Sequence, residues 1–328
     1  MNILVVGGAG YIGSHMVRAL LAAGHRPVTF DNLSRGHRES VLGGDFVQGD
    51  LSDRAAVEAV LRGKAIDAVM HFSAFAIVPE SVREPMLYYR NNVANTLILL
   101  QAMRDAGVDR LVFSSTAAVY GNPLEKSIHE DHPLFPVNPY GRTKLMAEGM
   151  IQDFHAAYGL RYAVLRYFNA AGAGEDARIG ESHAPETHLI PNVLAAILGK
   201  LPHLEVCGND YPTPDGTCIR DFIHVDDLAD AHLLALQGLE RAPAGATPGA
   251  LVYNLGTGTG NSVRQVIAAA EKATGRKVPR KDSPRRPGDP PVLVASNEKA
   301  KRELGWNPRR SDLDTILRTA WAWAGKQT

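Results

Sequence analysis

Short, uninterrupted apolar runs and longer amphipathic stretches take turns along the first half of the chain. "MNILVVGG" is apolar until its glycines, the pattern of a strand covered on both faces. "YIGSHMVRALLAAGH" carries apolar residues at helical spacing, with Gly24 as its stop, and "RPVTFDN" predicts the next strand. "DAVMHFSA" and "DRLVFSST" predict two more buried strands, separated by a helical segment over roughly 86–106. "YGRTKLMAEGMIQDFHAAYG" is helical and "LRYAVLRYFNA" returns to strand. Strands alternating with helices predict an α/β fold with a doubly wound parallel sheet.

After about residue 170 the texture changes. Glycine, proline, histidine and acids crowd "AGAGEDARIGESHAPETH", and "GNDYPTPDGTCIRDF" and "DSPRRPGDPP" also read as loops, with short helices and strands between them. Residues 171–328 are therefore expected to form a smaller mixed α/β substrate lobe beside a nucleotide-binding domain at 1–170, with some segments returning to the first domain. The 328-residue length agrees with two lobes or one elaborated domain. Residues 241–250, "RAPAGATPGA", predict a surface loop.

Charge removes some partners. Thirty-five basic residues balance 35 acidic ones, so nothing electrostatic favours nucleic acid or an anionic membrane. No apolar run reaches the roughly 20 residues that span a bilayer. The start of the chain has neither the basic residues nor the cleavage site of a signal peptide. The two cysteines, Cys207 and Cys218, read as free thiols of a reducing compartment, and the cytoplasm is the expected location.

The first chemistry lies in "GGAGYIG", where Gly7, Gly10 and Gly13 follow a strand and open a helix around Tyr11 and Ile12. Glycine lets the backbone turn tightly and approach a pyrophosphate at the helix N-terminus. Asp31, beside Asn32 at the end of the second strand, stands where an acid binds the adenosine ribose hydroxyls. It favours NAD over NADP, whose 2′-phosphate meets a like charge. This is a Rossmann-like, NAD-binding arrangement. Asp50 and Leu51 in "GDLSD" end a strand where an adenine ring can lie.

Tyr140 and Lys144 fall one turn apart on the helix that Asn138 and Pro139 open. By spacing alone such a pair is ordinary helix surface. A tyrosine of pKa near 10 is a poor base, and lowering it by about 3 units takes roughly 4 kcal/mol from a nearby ammonium and a cationic nicotinamide. The strand end "SST" adds hydroxyls at Ser114, Ser115 and Thr116, beyond the carboxyl edge of the sheet where ligands bind.

Together, the glycine turn, "SSTAAVYG", "YGRTK" and "LRYFNAAGA" resemble the extended short-chain dehydrogenase/reductase family. "GNDYPTPDGTCIRDFIHVDDLADAH", "YNLGTGTGNSV" and "RRPGDPP" resemble its branch of 4-epimerases acting on UDP-sugars, and the likeness covers nearly the whole chain. The resemblance implies interconversion of UDP-glucose and UDP-galactose through a transient 4-keto sugar and bound NADH. It makes Tyr140 the base, Lys144 its cationic partner and holder of the nicotinamide ribose, and Thr116 the position of a catalytic serine, with Ser115 as a fallback. Phe72, Ser73, Asn92, Ser114 and Tyr167 complete the cofactor set. Arg220 and Arg286 become diphosphate-binding arginines, Asp289 a uridine-ribose contact, and Asn169, His188 and Leu189 nucleotide contacts.

Two positions depart from some members. Ala76 replaces a lysine that reaches NAD, which implies looser cofactor retention. Leu293 stands where a bulkier residue restricts N-acetylated sugars, which leaves UDP-N-acetylhexosamines as rival substrates; UDP-xylose and UDP-arabinose are others. No metal is expected, because His183 and His188 share a loop but no acid reads as joining them at ligand spacing. The resemblance also implies a homodimer, through helices near 86–106 and 145–158.

Overall fold

The computed structural model describes residues 1–241, 249–286 and 289–327. The expected loop at 241–250 therefore lies mostly outside the described residues. Six strands, β1 (Asn2–Val6), β2 (Arg26–Asp31), β3 (Asp45–Gln48), β4 (Ala68–His71), β5 (Arg110–Thr116) and β6 (Arg161–Tyr167), join a seventh, Ala250–Leu255, in one sheet. Its order is β3-β2-β1-β4-β5-β6 followed by Ala250–Leu255, and every pairing is parallel.

The first strand shows why its sequence is apolar on both faces. Ile3 and Val5 pack with Met16, Leu20 and Leu236 on one side of the sheet. Leu4 and Val6 pack with Leu61, Leu99 and Met103 on the other. Burying one such side chain contributes about 1.5–3 kcal/mol, so neither face tolerates a polar substitution.

Elements from beyond residue 170 join the first half of the chain. The helix Val225–Arg241 packs on the helix Tyr11–Ala22, and Ala250–Leu255 pairs with β6. The remaining C-terminal segments build their own core, in which Leu194, Val206, Phe222, Val266 and Leu317 are buried together.

The helical segment expected over 86–106 is present but not uniform. Pro85–Tyr88 and Asn95–Ala106 are α-helical, and Tyr89–Ala94 between them is a π-turn. Such turns re-aim side chains, here a pair of asparagines beside the site.

Candidate active site

One cavity runs along the carboxyl edge of the sheet. It is lined by Gly7, Gly10, Tyr11, Ile12, Gly13, Asp31, Asn32, Phe72, Ser73, Ser114, Thr116, Tyr140, Lys144, Tyr167, Asn169, His188 and Leu189 among others. Asp50 and Leu51 line a smaller adjoining pocket with Asp31 and Asn32.

At the cofactor end the glycines have separate reasons. A Cβ on Gly7, whose φ is +79°, would come within 2.6 Å of the Ser73 nitrogen. One on Gly13 would come within 2.1 Å of the Gly7 carbonyl oxygen. Both are therefore required by the turn itself. A Cβ on Gly10 would meet only the Gly7 oxygen, at 3.4 Å, so glycine there keeps the cavity wall open to a ligand instead. Gly10 caps the helix Tyr11–Ala22 without a side chain, and no acid sits in the first turn. That leaves amide donors and the positive end of the helix for a diphosphate. The Asp31 carboxylate accepts hydrogen bonds from the amides of Ala9 (3.0 Å) and Leu33 (2.8 Å), which fix it at the cavity edge. This cradle fits a dinucleotide.

At the other end, the Asn138 side chain caps the helix Pro139–Tyr158 by accepting from the Gly141 amide at 2.9 Å. Lys144 is 3% exposed, so the surface reading of the pair fails. Its ammonium donates to the Ser114 carbonyl at 2.8 Å and lies 4.8 Å from the centre of the Phe113 ring. Burial pulls Lys144 down to about 7, against the opposing pull of Glu148. For Tyr140 the sequence reading looked to a nearby ammonium and a cationic nicotinamide to draw the phenol down. The protein's own groups instead leave it raised: burial pushes it up, and a hydrogen bond with Thr116 only partly offsets that.

Strand alternation sorts the three hydroxyls at the end of β5. Ser114 and Thr116 line the cavity, and the Ser114 hydroxyl bonds that of Tyr167. Ser115 points to the opposite face and donates to Glu148, so it is no substitute for Thr116. Glu148 in turn holds Arg166 through Nη2 at 2.6 Å and Nε at 3.1 Å, an ion pair buried on both sides.

Other expected residues stand elsewhere. Asn92 is buried away from the cavity, bonded to both backbone groups of Phe75 and to the Thr143 hydroxyl. The π-turn presents its neighbour Asn91 to the cavity instead. Arg220, Arg286, Asp289 and Leu293 are not among the residues lining this cavity. Arg220 is ion-paired with Asp289, and Leu293 pairs with Arg220 in a small three-stranded sheet. Phe222, two residues on, does reach the cavity. Arg286 is exposed, and residues 287–288 of its motif lie outside the described residues.

Sequence reasoning passed over Ser34, Arg35 and Phe75. Arg35 stacks 5.4 Å from the Phe75 ring centre and pairs with Glu80 at 2.8 Å, beside Ala76. It also passed over two acids. Glu181 and Glu186 meet His183 and His188, with donor atoms all within 4.8 Å of one another. The spacing E-x-H-x-x-E-x-H within one loop was the available signal.

Residues 3–256 match the family described as the NAD dependent epimerase/dehydratase family. The UDP-glucose 4-epimerase of Azospirillum brasilense is 51% identical over 98% of this chain and 91% of its own length. The solved UDP-glucose 4-epimerase from Brucella ovis in complex with NAD is 52% identical, with a TM-score of 0.95 over 99% of this chain and 98% of that one. The UDP-glucose-4-epimerase from Stenotrophomonas maltophila with bound NAD and formylated UDP-arabinopyranose is 43% identical, with a TM-score of 0.95 over 100% of this chain and 98% of that one.

Proposed function

The chain belongs to the NAD dependent epimerase/dehydratase family, and from that premise we infer that it interconverts UDP-glucose and UDP-galactose by inverting C4 of the sugar. The observation that carries this is the placing of Tyr140, Lys144 and Thr116 on one cavity with the glycine cradle and Asp31.

NAD, when bound, would supply a reversible acceptor for the C4 hydride. Gly10, the start of the helix Tyr11–Ala22 and Asp31 hold its diphosphate and adenosine ribose. Lys144 holds the nicotinamide ribose, anchored by its bond to the Ser114 carbonyl. Tyr140 removes the proton from the 4-hydroxyl and gives it back, while Thr116 orients that hydroxyl. Because burial raises the Tyr140 phenol, the positive nicotinamide ring is the group that must lower it to serve as a base.

The UDP moiety lies toward Asn169, His188 and Leu189, and Arg220, Arg286 and Asp289 are assigned to its phosphates and ribose. Leu293 packs against the cluster of Ala117, Val119, Tyr120 and Ile128 and is not among the residues lining the cavity, so it gives no separate support to N-acetylated sugars as the main substrate.

The working unit is a homodimer. Val82, Met86, Leu87, Leu97 and Met146 are exposed on helices that pack together, and a second copy covers them. Among the described residues no helix is long and apolar enough to cross a membrane. The free thiols of Cys207 and Cys218 suit the cytoplasm. Incubating the protein with UDP-galactose and following the anomeric proton signals of product tests the activity. Formation of UDP-glucose is expected, and an unchanged spectrum contradicts it.

A further inference from the structure

The loop leading into the helix Leu189–Ile197 holds a second constellation on the wall of the same cavity, and it shares His188 with the UDP side of the epimerase reading. His183 Nδ1 lies 3.3 Å from one oxygen of Glu181 and 3.4 Å from one oxygen of Glu186. His188 Nδ1 contacts the same Glu181 oxygen. Both rings thus turn the same nitrogen inward on two carboxylates, with ring centres 5.3 Å apart. A tetrahedral ion with donors at about 2.0–2.2 Å sets neighbouring donors about 3.3–3.6 Å apart, the spacing His183 keeps to both acids; His188 Nδ1, in direct hydrogen-bond contact with Glu181 and 4.0 Å from Glu186, has to shift for the ion to enter.

The carboxylates are held for such a task. Glu186 spends its other oxygen on the amides of Thr187 (2.7 Å) and His188 (2.9 Å). Glu181 has a side chain only 6% exposed, and its carbonyl accepts from the Trp323 indole at 2.8 Å. Outer bonds of this kind orient metal ligands.

We propose that Glu181, His183, Glu186 and His188 bind one divalent transition-metal ion. Two imidazole nitrogens and two carboxylate oxygens suit zinc, whereas magnesium and calcium call for all-oxygen shells. The ion staples the 181–188 loop at the rim of the cofactor cavity. Carbonyls of that loop already meet the opposite rim, Ser182 at His37 and Ala184 at Arg35, each at 3.2 Å.

The test is a zinc titration of untagged, EDTA-treated holoprotein against a chromophoric chelator, with magnesium as control. One saturable equivalent of zinc is expected, unaffected by magnesium. His183→Gln and Glu181→Gln should each weaken it by more than about 100-fold, beyond the roughly 10–100-fold that outer-shell changes cost. His129→Gln, at an exposed histidine elsewhere, should leave it unchanged. Unsaturable binding, or equal affinity in both loop variants, overturns the proposal. If those variants misfold, X-ray absorption on the zinc-loaded unmodified protein decides: two imidazoles in the shell support the site, and none refutes it.

Discussion

Lys144 sends its ammonium 2.8 Å to the carbonyl oxygen of Ser114, bridging the helix Pro139–Tyr158 and the end of β5. The bond fixes a cation at the cavity wall, and burial makes that cation costly, pulling it down to about 7. An unfolded lysine titrates near 10.4, so between about pH 7 and 10 the unfolded chain binds more protons than the folded one. Folded wild type should therefore gain stability relative to Lys144→Met as pH rises through that window. Denaturant melts of cofactor-free protein at pH 6.5, 8 and 9.5 measure it, and a gap that does not change with pH would contradict the burial argument.

Tyr140→Phe removes the only group assigned to the 4-hydroxyl proton. Turnover should fall by about 10²- to 10⁴-fold, the usual worth of a positioned acid or base, with UDP binding retained. Steady-state kinetics paired with UDP calorimetry checks it. Turnover close to wild type would remove Tyr140 from the mechanism.

Glu148 and Arg166 form an ion pair with side chains 1% and 4% exposed, and Ser115 and Tyr120 complete the network. Removing one partner of a buried pair leaves an uncompensated charge and costs about 3–5 kcal/mol. Glu148→Ala should lose that much in urea unfolding. A loss under about 1 kcal/mol would mean the pair is better solvated than its burial indicates.

Ala76 lines the cavity where some relatives of the resembled branch place a lysine. Arg35, a cation on the same cavity, is already engaged with Glu80. NAD should therefore exchange with labelled NAD in solution, and Ala76→Lys should slow that exchange. Filter-binding time courses report the rate; a cofactor that never exchanges in the wild type sinks the expectation.

Most of the parallel sheet was legible because each buried strand leaves a continuous apolar run, and Gly7, Gly13 and Asp31 declare themselves by turn chemistry. The tyrosine and lysine were legible as a spacing, but their burial was not, since helix periodicity cannot say what covers a face. Asn92 lies in a π-turn, bonded to Phe75 and Thr143 while Asn91 lines the cavity, and helix periodicity cannot assign which of the two faces it. In the histidine loop Glu181 and Glu186 were legible as sequence neighbours of His183 and His188, but the convergence of the four side chains comes only from the fold of the loop. Arg220 is ion-paired with Asp289 and strand-paired with Leu293, a tertiary arrangement that local sequence does not encode.

The central claim is that the hydrogen leaving C4 returns to C4 within one site. UDP-galactose carrying deuterium at C4, incubated with the protein in ordinary water, tests it most directly. The account predicts UDP-glucose that retains deuterium at C4. Product carrying solvent hydrogen there would contradict it.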